Sequence, residues 1–92
     1  PTAVVVAQET VQGRIEDMAG SSLPGVRIFV EGTSLFVVSD ADGYFSLSGL
    51  PTGTRELTAY LYGYETLRHK LDDRGLSPIV LRLKELEKEL RR

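Results

Sequence analysis

The chain has 92 residues, 41% of them hydrophobic and 26% charged, with a net charge of −2. That length suffices for one modest core and leaves little depth for an active-site cleft, and the composition is ordinary globular. There is no cysteine and one histidine, His69, so a disulfide scaffold, a thiol nucleophile and a cysteine- or histidine-built metal centre lack the residues to make them.

The near-neutral charge carries no nucleic-acid footprint. The longest apolar run, Ala3 to Ala7, falls far short of the ~20 residues of a membrane-spanning helix. Pro1 opens the sequence with neither a basic segment nor a long apolar stretch, so no secretory leader is expected within it. Charge is uneven: residues 1–66 hold three basic and eight acidic side chains, residues 67–92 eight and five. A basic end on an acidic body can steer a partner, and equally describes a solvated terminus.

In chain order the pattern has period two. Val11, Gly13 and Ile15 alternate with Gln12, Arg14 and Glu16; Val26, Ile28 and Val30 alternate with Arg27, Phe29 and Glu31. Leu35 to Val38 is apolar at every position. Phe45 and Leu47 then alternate with Tyr44 and Ser46, and Leu57, Ala59 and Leu61 with Thr58, Tyr60 and Tyr62. Leu67, His69 and Leu71 follow, and finally Ile79, Leu81 and Leu83. Successive side chains of a strand point to opposite faces, so each run predicts a strand with one buried face.

Turn chemistry separates the runs: Asp17 to Ser22, Glu31 to Ser34, Asp42-Gly43, Leu50 to Gly53 and Tyr62-Gly63. About seven short strands at ten-residue spacing predict an all-β Greek-key sandwich, mostly antiparallel because no crossover helix intervenes. After residue 83 the period changes. Leu83, Leu86 and Leu90 are spaced as one helical stripe in a run of strong helix formers, which predicts a short helix from about 84 to 91. The expected organisation is a sandwich over 1–83 and a helical tail over 84–92.

Several segments taken together resemble the carboxypeptidase regulatory-like domain. They are Val11-Gln12-Gly13-Arg14-Ile15, Leu23-Pro24-Gly25-Val26, Val30-Glu31-Gly32-Thr33, Ser39 to Leu47, Gly49 to Gly53, and Gly63-Tyr64-Glu65. The resemblance spans about two-thirds of the chain and implies a transthyretin-like β-sandwich. It further implies a non-catalytic accessory module, periplasmic or extracellular, of the kind found beside metallocarboxypeptidase domains or at the N-termini of TonB-dependent transporters. Three places depart from the family pattern: Phe36 and Val37 where small or polar residues are usual, Arg55 where an aromatic is common, and Tyr60 and Tyr62 at outward positions.

A strand apolar on both faces must be covered twice or leave an apolar stripe. Leu35, Phe36, Val37, Val38, Tyr60 and Tyr62 are therefore the expected interaction residues, docking a protein partner through an exposed strand and an aromatic patch. That partner is a neighbouring domain or a second copy. A small-ligand carrier formed at a dimer interface, in the transthyretin manner, is the alternative.

Other candidates read as structural. Asp40 and Asp42 are expected to hold a turn and not calcium, because the twelfth position from Asp40 is Pro51 and not a glutamate. Asp72-Asp73 with Arg74-Gly75 reads as another turn. His69 has no acid, serine or second histidine at partner spacing, so it is expected to be a half-buried rim residue. Hydroxyisourate hydrolases, which resemble this chain in fold, use several His and Arg residues and a Tyr-Arg-Gly-Ser end; this chain has one His and ends Glu89-Leu90-Arg91-Arg92. No catalytic residue, cofactor or metal is expected.

Overall fold

The computed structural model describes residues 9–51, 53, 56–71 and 78–87. Within them the alternating runs form β1 (Glu9–Asp17), β2 (Arg27–Val30), β3 (Phe36–Val38), β4 (Tyr44–Leu50), β5 (Glu56–Tyr60), β6 (Leu67–Lys70) and β7 (Ile79–Leu83). A three-stranded sheet has the order β4-β1-β7 and a four-stranded sheet the order β3-β2-β5-β6. Every pairing is antiparallel except β1 with β7, which run parallel from Gly13 opposite Ile79 to Asp17 opposite Leu83. The first and last strands thus lie side by side. No helix among the described residues is long and apolar enough to cross a membrane.

The inward set of each strand fills the space between the sheets. Val11, Ile15, Leu47, Leu50, Leu81 and Leu83 come from one sheet and Val30, Ile28, Leu57 and Ala59 from the other, all essentially buried. Each valine, leucine and isoleucine of this set contributes about 1.5–3 kcal/mol by leaving water. Gly13 sits on this inner face, where a Cβ would come within 2.8 Å of the Phe45 ring and 2.5 Å of the Ile79 carbonyl. A side chain at position 13 would displace Phe45 or β7, so glycine is what lets the three strands close at that row.

Two connections are held by buried or turned-back polar groups. Ser39 is buried, donates from Oγ to Leu23 O (2.8 Å) and accepts from Val26 N–H (2.9 Å), fixing the loop ahead of β2 to the end of β3. Asp40 closes the β3–β4 connection, its Oδ1 accepting from the N–H groups of Asp42 and Tyr44, each at 2.9 Å. The turn expected at Asp40 and Asp42 is therefore what the chain forms there. Asp72 to Gly75, the second expected turn, lies outside the described residues, as do Val4 to Val6 and Arg55.

The expected helix after residue 83 is not what residues 84–87 form. Lys84 to Leu86 continue from β7 as extended chain and pair with the segment after β5: Glu65 N–H donates to Lys84 O and Leu86 N–H to Gly63 O, both at 2.8 Å, with Tyr64 opposite Glu85. Helix nucleation is costly in a short segment, and unpaired backbone at Gly63–Glu65 offers bonds at once, so tertiary pairing overrides local propensity. Leu83 is buried in the core while Leu86 is half exposed, so the two do not share a helical stripe; Leu90 lies outside the described residues. Strand β5 also stops at Tyr60, short of the run read as far as Tyr62, because Tyr64 N–H bonds Leu61 O (3.0 Å) and turns the chain at Gly63.

This strap joins the two sheets on the β6–β7 side. On the opposite side, β3 and β4 are the outermost strands of their sheets and are connected through the Asp40 turn.

An aromatic sheet face beside a free edge

The register of the four-stranded sheet sorts the candidate residues. Arg27 lies opposite Val38 on one side and Tyr60 on the other; Phe29 lies opposite Phe36 and Thr58. Residues directly opposite share a face, so Phe36, Val38, Tyr60, Phe29 and Arg27 form one outer surface. Phe36 and Val38 are each 50% exposed and Tyr60 is 41% exposed. The Phe29 and Phe36 rings stand 5.5 Å apart, tilted at 33°, within the range of favourable aromatic pairs.

Of the six expected residues, this face unites Phe36, Val38 and Tyr60. Val37 points inward and packs, half-buried, against the core. Leu35 is exposed in the hairpin ahead of β3, where Leu35 O accepts from Val30 N–H (3.1 Å). Tyr62 stands in the turn beyond β5, 88% exposed, beside a shallow cleft of about 420 Å³ shared with Tyr60, Tyr64, Glu85 and Leu86. Phe29 is the residue the sequence reading left out of the patch. Its place among the outward members of the β2 alternation was the available signal, and only the pairing with β3 shows that it continues the aromatic surface.

The cations of the two sheets differ in their commitments. On the three-stranded sheet, buried Glu16 takes Arg14 Nη1 on Oε2 (2.6 Å) and Arg82 Nε on Oε1 (2.8 Å), and Arg14 Nη2 also donates to Ser22 Oγ (2.6 Å). On the outer face of the four-stranded sheet, Lys70 lies opposite Glu56. Among the described residues no ion pair engages Arg27 or Arg68. His69 is half-buried on the inner side of β6, opposite Leu57. Among the described residues no cluster of three or more His, Asp or Glu side chains is placed to hold a metal ion.

A β-sandwich with an exposed, largely aromatic sheet face beside a strand edge that no other described strand pairs with is the class that the geometry defines. The chain belongs to the CarboxypepD_reg-like domain family, whose profile residues 11–91 match. Comparison with curated protein sequences gave no match.

Among solved structures, a chain of the type II cohesin–X-dockerin complex from Acetivibrio cellulolyticus superposes with a TM-score of 0.69 at 18% identity. The match covers 82% of this chain and 56% of that one. A 3-chlorocatechol 1,2-dioxygenase from Rhodococcus opacus 1CP superposes with a TM-score of 0.63 at 12% identity, over 89% of this chain and 61% of that one. At these identities the likeness is one of fold. The chain spans little more than half the length of either.

Proposed function

We propose that the domain is a non-catalytic accessory module that binds another protein through the outer face of its four-stranded sheet and the edge strand β3. One observation carries this reading: Phe36 and Val38 on the outermost strand, Phe29 on β2 and Tyr60 on β5 are all exposed on one outer face, with Arg27 set between Val38 and Tyr60. Contiguous aromatic surface rimmed by polar groups is the composition of protein interfaces. The cohesin–dockerin structure, a protein complex by its title, supports an association role for the fold.

Family membership supports a non-catalytic role and a periplasmic or extracellular setting, beside a carboxypeptidase domain or at the N-terminus of a TonB-dependent transporter. The sheet orders 4-1-7 and 3-2-5-6 support the transthyretin-like arrangement that the resemblance implies. Residues 1–83 are the body of the module and 84–92 a tail whose first part straps Gly63–Glu65.

The test is a photo-crosslinking amino acid placed at position 36 and, as a control, at position 18 in the exposed turn after β1, which lines neither groove, in the protein as it is expressed. Position 36 is expected to crosslink to one defined protein surface and position 18 not to. Equal labelling from both, or none from 36, overturns the reading.

A further inference from the structure

We infer that the partner of this face is an extended segment that adds to β3 as an antiparallel strand and carries the order acidic, apolar, aromatic. The inference rests on the docking reading above and adds the chemistry of the occupant.

Among the described residues no strand pairs with the outer edge of β3. Ser39 N–H donates to Val26 O (2.8 Å) and Val30 N–H to Leu35 O (3.1 Å). Bonded and non-bonded pairs alternate along an antiparallel ladder. Phe36 and Val38, opposite Phe29 and Arg27, are therefore the non-bonded positions, and their N–H and C=O groups point away from β2 toward the free edge. Edge strands are usually guarded by a lysine, a proline, a charge or a bulge. β3 is short, three residues, which limits what it can pair, but Leu35 to Ser39 contains none of the three residue guards, and the β2–β3 register runs without a shift.

The surroundings set the side chains. An incoming residue opposite Val37 points, like Val37, to the inner side of a groove of about 900 Å³, toward its apolar wall of Val37, Phe45 and Ile79 and away from Gln12, Arg14 and Ser46, which line its outer part; an apolar side chain suits that wall. A residue opposite Phe36 continues the Phe29–Phe36 row and is best aromatic. A residue opposite Val38 lies on the outer face in the row of Arg27, two strand spacings (about 10 Å) away. Arginine lies over apolar neighbours with its head free, so a carboxylate leaning back across Val38 meets it. Among the described residues Asp40 forms no ion pair with that arginine, its Oδ1 being turned onto the amides of Asp42 and Tyr44. Antiparallel pairing reads the incoming strand from Val38 to Phe36, which gives the stated order.

The experiment titrates the isotope-labelled domain with short capped peptides centred on Glu-Val-Phe, on Lys-Val-Phe, and on Glu-Val-Phe methylated at the Glu and Phe amide nitrogens. The expected result is amide shifts confined to β3, β2 and the groove, and binding about tenfold tighter for the glutamate peptide than for the lysine peptide at low salt. Arg27→Glu is expected to reverse that order, and the methylated peptide not to bind. Equal affinity for the glutamate and lysine peptides overturns the acidic assignment. Equal binding of the methylated peptide overturns strand addition. Neither result touches the docking reading, which fails if position 36 yields no crosslink or labels no better than the control. A concentration-dependent dimer in sedimentation that Phe36→Lys dissolves makes a second copy the occupant and overturns the proposal.

Discussion

Asp17 and Asp40 close two separate loops with the same set of bonds. Asp17 Oδ1 accepts from Ala19 N–H and Ser21 N–H, as Asp40 Oδ1 accepts from Asp42 N–H and Tyr44 N–H, all four at 2.9 Å. In each, the glycine three residues on donates to the aspartate carbonyl, at 3.0 Å from Gly20 and 2.9 Å from Gly43, and the aspartate N–H donates to the carbonyl of the residue four on. Asp17→Ala and Asp40→Ala are each expected to cost about 1–2 kcal/mol, while Asp40→Asn, which keeps the acceptor, costs less than about 1. Urea unfolding checks the difference. Millimolar calcium is expected to leave the melting temperature unchanged; a rise of several degrees contradicts the turn role.

The two glycines of these loops are not equivalent. Both have positive φ, 90° at Gly20 and 82° at Gly43, but a Cβ at Gly20 meets open space while one at Gly43 lies 2.5 Å from the Ile15 carbonyl. Gly20→Ala therefore bears only the left-handed penalty, about 1–2 kcal/mol. Gly43→Ala must also push back β1, whose Ile15 N–H bonds Gly43 O at 2.7 Å, and is expected to exceed about 3 kcal/mol. Matched midpoints for the two variants contradict this reading.

Glu16 is the shared acceptor of two arginines. Its side chain is 7% exposed, those of Arg14 and Arg82 31% and 62%. Glu16→Ala removes the centre of the network and is expected to cost about 2–3 kcal/mol, whereas Arg82→Ala, already largely hydrated, costs under about 1. A double-mutant cycle between positions 14 and 82 is expected to show coupling when Glu16 is present and none in the Glu16→Ala background.

Phe36→Lys is expected to cost no more than about 0.5–1.5 kcal/mol, since it gives up the pairing with Phe29 but no buried contact. Ser39→Ala, three residues on, is expected to cost about 1–3 kcal/mol, because Val26 N–H and Leu23 O lose their buried partner together. Chemical denaturation of both variants reads the contrast; unfolding of Phe36→Lys shows the ring to be core.

The strands were readable because inside and outside alternate without interruption at Val26-Ile28-Val30 and at Ile79-Leu81-Leu83, and a buried face admits only one register. The Asp40 turn was readable because its bonds are local. Which strands meet was not readable, since pairing at a distance leaves no local mark. The parallel contact of β1 with β7, Phe29 continuing the Phe36 patch, and the pairing of Lys84–Leu86 with Gly63–Glu65 all belong to that class. Leu86 shows the limit most plainly: its neighbours Lys84, Glu85 and Glu87 all favour a helix in isolation, and the bond from its N–H to Gly63 O decides otherwise.

Placing β7 against β1 has a consequence for biosynthesis. Leu81 and Leu83 plug the middle of the filling, yet they are translated after nearly everything they touch. Until they leave the ribosome, β1 has a neighbour on one flank only, and the oily interior stays unsealed. Long-separated contacts of this kind slow the final closure, so this sandwich cannot seal before β7 has emerged.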